Sequence, residues 1–240
     1  MVKRVKGVFP MELNNRQKMI LQKLNHTGMI KVSELSKEFY FSEMTIRRDL
    51  DKMEKEGLLK RIHGGAVENT SNFQYPVNYR IGINRDQKKQ MADQAVKYLK
   101  DHQVIFFNSS STLAYIVPYL SKYKDIQIIT NSVYLLSFFE QLHIPCYLTG
   151  GKYNEIEKCL SGRQAEDFLQ EINPDLAFLS CEALSQNGNV TDSDQSLAKI
   201  AKIAIERSKF SVLLMDRSKI GTVCTYNICH TDQLDDVILF

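Results

Sequence analysis

The sequence predicts two domains of unequal size, a small α+β unit at the N-terminal end and then a larger α/β unit built on a mostly parallel sheet. Three observations lead there. The first 67 residues hold three short helical patterns followed by two strand patterns around a glycine turn. From residue 79 onward short apolar runs alternate with helical stretches, the signature of strand–helix repetition. Charge divides the chain in the same way: residues 1–67 carry fourteen Lys/Arg against eight Asp/Glu, net +6, and residues 68–240 carry seventeen against twenty, net −3. The total of +3 conceals this split. At 240 residues both parts are long enough to bury a core.

The first helix is expected from Arg16 to Asn25, where Met19, Ile20, Leu21 and Leu24 recur at helical spacing and Gly28 supplies a C-terminal cap. A second, shorter helix is expected from Ser33 to Phe39, with Leu35 and Phe39 spaced to cover the first. The tight Tyr40-Phe41 connection leads to a third helix, capped by Ser42, with Glu43 at the positive end of its dipole. Ile46, Leu50 and Met53 fall at i, i+4 and i+7 and form its buried seam. Met44, Arg48, Asp51 and Lys55 then face outward, with Glu43 and Arg47 on a flank. Gly57 stops the helix; Leu58–Ile62 and Ala66–Val67 are expected as strands joined through His63-Gly64-Gly65.

This order is a helix-turn-helix followed by a wing, whose third helix lies in the major groove of DNA. The candidate DNA-binding residues are Ser33, Ser42, Glu43, Met44, Thr45, Arg47, Arg48, Lys60, Arg61 and His63. Arg48 is the candidate base contact; Arg47, Thr45 and Lys60 suit phosphates. A local positive field attracts the phosphate backbone by releasing counterions, so binding should weaken steeply with salt. The arm with Lys3, Arg4 and Lys6 either lies on phosphates or is disordered.

Residues 68–78 are expected as a linker, polar and without periodicity from Glu68 to Gln74. Strands are then expected at Val104–Phe107, Ile126–Thr130, Cys146–Leu148, Leu176–Leu179 and Val212–Met215. In open parallel sheets ligands gather beyond the carboxyl ends of the strands. There stand Asn108-Ser109-Ser110-Ser111-Thr112, opening a helix whose N–H groups can hold an anion, then Asn131, Gly150-Gly151-Lys152, and Asp216 with Lys219. Cations and N–H donors suit a phosphate, and Asp or Asn suits hydroxyls, so these are the candidate effector-binding residues for a phosphorylated sugar.

Five cysteines, an odd number spread from Cys146 to Cys229, do not form a disulfide framework, and reduced thiols are expected. Cys224, Cys229 and His230 lack a fourth ligand, so neither a metal nor another cofactor is expected. No apolar run approaches the roughly 20 residues of a membrane helix. The N-terminus lacks the apolar stretch of a secretory signal, and a cytoplasmic location is expected.

Arg16, Ile20 and Leu24, followed by Ser42, Thr45, Ile46, Arg47, Arg48, Asp49 and Leu50, resemble the helix-turn-helix signature of the DeoR family of bacterial transcriptional regulators. Gly57-Leu58-Leu59 and His63-Gly64-Gly65-Ala66 resemble that family's wing, and the likeness covers about residues 13–67. From Tyr79 to Val237 the chain resembles the family's effector domain, itself similar to ribose-5-phosphate isomerase and glucosamine-6-phosphate deaminase folds. Arg80, a helix over Asn84–Lys100, Thr130-Asn131-Ser132, Gly150-Gly151, Ser161-Gly162 and Asp216 to Lys219 carry this likeness. Where the family has Asp-x-Gly-Thr-Thr, this chain has Asn108-Ser109-Ser110-Ser111-Thr112. Relatives often carry a further element after a strand like that at Asp236–Phe240, which this chain is expected to lack.

The resemblance implies a homo-oligomeric repressor of a sugar operon, without catalysis, that releases double-stranded operator DNA when a phosphosugar binds. Two alternatives stay open: a sugar-phosphate isomerase or deaminase with an appended DNA-binding module, and a regulator whose large domain only oligomerises. For the former, Asn108 stands where a carboxylate is expected, and His102, His143 and His230 fall off the candidate loops.

Overall fold

In the computed structural model, which describes residues 13–67 and 77–240, helix α1 (Asn15–Thr27) starts at a capping box. The Asn14 side chain accepts from the Gln17 N–H at 2.9 Å, and the Gln17 side chain accepts from the Asn14 N–H at 3.1 Å. Gly28, at φ 70°, ends it. Strand β1 (Met29–Lys31) leads into α2 (Val32–Phe39), which Tyr40 closes in the left-handed region at φ 57°. Ser42 caps α3 (Glu43–Lys55), its hydroxyl accepting from the Thr45 N–H at 3.2 Å. Strands β2 (Lys60–Ile62) and β3 (Gly65–Val67) complete the wing.

The expected two-stranded wing is a three-stranded sheet, in the order β1-β3-β2 with both pairings antiparallel. The Met29–Lys31 strand was missed because three residues show no period. Gly65 sits in the tightest place of this sheet, where any Cβ would press into the Ile30 carbonyl oxygen. Ile20, Leu21, Leu24, Leu35, Ile46, Leu50 and Met53 form the core, as the periodicity predicts, joined by Leu58, whereas Met19 of the same pattern is exposed. One seam residue is charged. Asp49 is 6% exposed, and its carboxylate accepts from the Gln17 side chain at 2.9 Å and from the Arg16 guanidinium. Arg16 in turn lies over the Phe41 ring, 4.4 Å from its centroid.

The chain divides into two compact units, Met1–Ile83 and Asn84–Phe240. The expected basic arm and most of the expected linker, residues 1–12 and 68–76, lie outside the described residues. One helical turn, α4 (Val77–Arg80), precedes the second unit. The helix expected over Asn84–Lys100 is shorter. Asn84 takes a left-handed backbone at φ 52°, α5 runs Arg85–Ala95, and a 3-10 turn follows at Val96–Tyr98, after which Leu99 leaves in extended backbone with its side chain buried.

Then come β4 (Val104–Phe107), α6 (Val117–Leu120), β5 (Gln127–Thr130), α7 (Val133–Gln141), β6 (Cys146–Leu148), β7 (Lys152–Asn154), β8 (Cys159–Ser161) and α8 (Arg163–Gln170). After these follow β9 (Leu176–Leu179), β10 (Ala183–Leu184), β11 (Asn189–Asp192), α9 (Gln195–Arg207), β12 (Ser211–Met215), β13 (Tyr226–His230) and β14 (Asp236–Leu239). Six strands pair in parallel in the order β14-β12-β9-β4-β5-β6. A β10-β11-β13 sheet and a β7-β8 hairpin, both antiparallel, were not expected.

Helices cover both faces of the main sheet. On one, Phe106, Ala177, Leu179 and Leu213 pack with Ala165 and Leu169 of α8 and with Ala198, Ala201 and Ala204 of α9. On the other, the Phe107 ring meets Phe139 of α7 at 5.6 Å and Phe178 at 5.3 Å between centroids. The helix expected to open from the loop after β4 is short. The loop enters a 3-10 turn, Leu113–Tyr115, and then the single turn of α6, because Pro118 has no N–H to continue an α-helical ladder from the loop.

Replacing Asp49 by Ala would leave the Arg16 and Gln17 donors without their acceptor. Asp49→Ala should therefore lower the stability of the first unit by about 3 kcal/mol, read as lost amide-exchange protection in α1 and α3; unchanged protection would show that this carboxylate does not join the helices.

Candidate nucleic-acid interface and effector site

The N-terminal turn of α3 is built to stand free. Ser42 is occupied as the cap, its oxygen also 2.9 Å from the Thr45 hydroxyl. Met44 is 61% exposed, an apolar side chain on the outer face. Arg47 and Glu43 pair at 2.9 Å along the exposed flank. The Arg48 side chain is exposed and makes no hydrogen bond or ion pair among the described residues. Ser33 in the first turn of α2, and Lys60 and His63 in the wing, are exposed as well. Arg61 differs: its side chain is 20% exposed, and it bonds to Asp51 and to the carbonyls of Gly65 and Arg47.

The carboxyl ends of the main sheet converge where strand order reverses. From β4 the chain proceeds to β5 and β6 on one side, and from β9 to β12 and β14 on the other. Asn108 spans this switch point: its side-chain N–H donates to the Ser180 carbonyl at 2.8 Å, and its oxygen accepts from the Ser180 N–H at 3.1 Å. Asn131 works likewise, accepting from the Ser109 N–H at 3.0 Å and donating to the Leu160 carbonyl at 3.1 Å. Ser109 donates to the Glu157 carbonyl at 3.0 Å, and the Ser110 hydroxyl accepts from the Thr112 N–H at 3.0 Å. Thr112 is buried.

Sequence reasoning missed two groups here. Lys88 of α5, only 3% exposed, brings its ammonium to the Ser111 hydroxyl at 3.0 Å. The Ser180 hydroxyl is buried with no hydrogen-bond partner among the described residues. Lys88 is flanked in sequence by Gln87 and Lys89, so no local pattern marks it. Of the remaining candidates, Gly150 and Gly151 have φ of 73° and 111°, and a Cβ on Gly151 would strike the Ser161 carbonyl of β8. Lys152 is exposed on β7. Buried Asp216 caps a 3-10 turn, accepting from the Ser218 N–H at 3.2 Å, and Lys219 reaches the Cys181 carbonyl at 2.7 Å. Among the described residues no cluster of three or more His, Cys, Asp or Glu could hold a metal ion, and no helix is long and apolar enough to cross a membrane.

Residues 16–72 match the family model of the DeoR-like helix-turn-helix domain, and residues 83–239 match that of the DeoR C terminal sensor domain. The chain belongs to the DeoR family. The "L-fucose operon activator" of Haemophilus influenzae is 33% identical over 94% of this chain and 91% of its own length. A transcriptional regulator of Listeria innocua is 30% identical over 96% of this chain and 91% of its own length. Among solved structures, a ribose 5-phosphate isomerase A from Methanocaldococcus jannaschii matches with TM-score 0.42 and 22% identity, covering 57% of this chain and 55% of that one. The eIF2B delta subunit from Chaetomium thermophilum matches with TM-score 0.50 and 14% identity, covering 67% and 58%. The chain thus spans little more than half of these solved proteins, and at such identity the second match shows a shared fold alone.

The sensor unit also carries a half-buried carboxyl at Asp192, the last residue of β11. Burial pushes Asp192 up to about 7 from 3.8, and the negative charges of Glu182, Glu157 and Asp194 add to this, against the opposing N–H of Asp194. Burial also raises the Cys181, Cys224 and Cys229 thiols, making them weak nucleophiles. Because its folded value lies above its unfolded one, Asp192 holds a proton in the folded chain that the unfolded chain releases between about pH 4 and 7. Stability is lost across that window and the cost is complete above it. Asp192→Asn, which keeps the oxygen facing the Asp194 N–H, should raise the sensor unit's Tm by about 5 °C at pH 8 and leave it unchanged at pH 4. An equal shift at both pH values would refute the raised titration.

Proposed function

We propose that this chain represses a sugar-metabolism operon and lets go of operator DNA when a phosphorylated sugar binds. In this reading residues 1–67 hold the DNA, residues 68–78 link, and residues 79–240 sense the effector and form the homo-oligomer. Two α3 helices about 34 Å apart would meet half-sites one helical turn apart. Arg48 would contact a base edge with Met44 beside it, and Ser33, Ser42, Glu43, Thr45, Arg47, Lys60 and His63 would border the duplex. The observation that carries the sensing half is the buried Lys88 ammonium at the Ser111 hydroxyl, beside the strand-order switch. Asn108–Thr112, Asn131, Gly150, Gly151, Lys152, Asp216 and Lys219 would complete that site. The sugar operon named for the Haemophilus influenzae relative supports the substrate class.

A second reading keeps the large domain as an oligomerisation module alone. It draws on Asn108 and Asn131, whose amides are occupied by backbone groups. Effector binding must differ between DNA-bound and free arrangements to shift them at all.

Selection of duplexes from a randomised library, followed by release assays with a phosphosugar panel, tests both readings. The chain should prefer its selected duplex, and Arg48→Ala should cost about tenfold in discrimination at one base pair. Lys88→Met should abolish release by the active phosphosugar and leave duplex affinity unchanged. Equal binding to scrambled duplex would sink the regulator reading; duplex preference without any phosphosugar response would favour the oligomerisation module.

A further inference from the structure

We infer that Arg61 is a positioning residue that sets the wing against the recognition helix, and that it is not a ligand for a DNA phosphate. The inference rests on the DNA-binding reading above and changes the role of one residue in it. Arg61 lies on β2, between exposed Lys60 and Ile62. Its Nε donates to the Gly65 carbonyl of β3 at 3.2 Å. Its Nη1 donates to the Arg47 carbonyl of α3 at 3.3 Å and pairs with the Asp51 carboxylate. Its backbone N–H donates to the Glu54 carboxylate at 2.6 Å.

Residues 47, 51 and 54 stand at i, i+4 and i+7, a single stripe along α3. One residue of the wing therefore grips successive turns of the helix and its own partner strand. A planar fork can serve two carbonyls and a carboxylate from a fixed place, and an ammonium cannot. The guanidinium is also the more covered member of its pair, 20% exposed against 60% for Asp51. A phosphate would have to displace Asp51 and leave two carbonyls without this donor. The hold at the Arg47 carbonyl fixes the wing tip, His63-Gly64, relative to the backbone that carries Arg48. The same pairing neutralises Asp51, a carboxylate on the outward face of the helix.

The test compares wild type with Arg61→Lys, Arg61→Ala and the charge-balanced Asp51→Ala/Arg61→Ala, each bound to a duplex selected by wild type over a range of KCl. A positioning role predicts that both single variants bind about tenfold more weakly with an unchanged slope of log affinity against log salt, and that the double variant stays as weak as Arg61→Ala. Wild-type affinity in Arg61→Lys, or a slope shallower by about one in Arg61→Ala, would assign Arg61 to a phosphate and overturn the inference. Amide exchange without DNA provides the second readout. Residues 62–67 should exchange about tenfold faster in Arg61→Ala while α1 is unchanged, and equal exchange would overturn the inference whether or not any duplex is selected. Failure of wild type to prefer a duplex would instead count against the DNA-binding reading.

Discussion

The N-terminal unit depends on one carboxylate removed from water. Burying Asp49 in the seam of α3 carries a desolvation penalty that only good partners offset, and α1 supplies both, from Arg16 and Gln17. Arg16 is itself held against Phe41, the residue just before the α3 cap, so one contact fixes the approach of α1, the turn and the helix together. Two residues further on, Asp51 points the other way and meets the wing through Arg61. The recognition helix is thus braced inwardly and outwardly by two acids on opposite faces, and its first turn stays open to solvent.

In the sensor unit, side-chain amides do comparable work. A carboxylate can only accept hydrogen bonds, whereas an amide both donates and accepts. At position 108 that difference lets one side chain meet the N–H and the carbonyl of Ser180 together, across the two strands where the order of the sheet reverses. The departure from the family's Asp at this place, which from sequence reads as the loss of a ligand, is in the structure a gain of a clamp. Asn131 ties the same loop to the β7–β8 hairpin, so the segments beyond the carboxyl ends of β4 and β5 are held together by side-chain amides.

Much of the architecture was legible in the sequence wherever the signal is local and repeats. The Ile46, Leu50 and Met53 seam, the Ser42 and Gly28 caps and the apolar runs at 104–107, 146–148 and 176–179 all reflect periods or residues whose chemistry acts within one element. What escaped is what depends on a distant partner. β1 and the β7–β8 hairpin have only three residues per strand, too few to show alternation. Asp49 was within reach, since three residues after Ile46 is a seam position, but its partners lie more than thirty residues away. Lys88 and Arg61 have ordinary sequence surroundings, and only packing reveals one as buried and the other as tied to α3. At the candidate sites the residue types were therefore readable and their engagements were not.

The close approach of Gly65 to the Ile30 carbonyl limits how such a unit can be recombined. Because β3 lies between β1 and β2, grafting the 60–67 hairpin onto another scaffold without the strand preceding α2 would leave its inner edge unpaired and its glycine without purpose. The smallest piece that could be exchanged between regulators as a working module is the whole segment from α1 through β3, and chimeras joined inside it would inherit mismatched backbones.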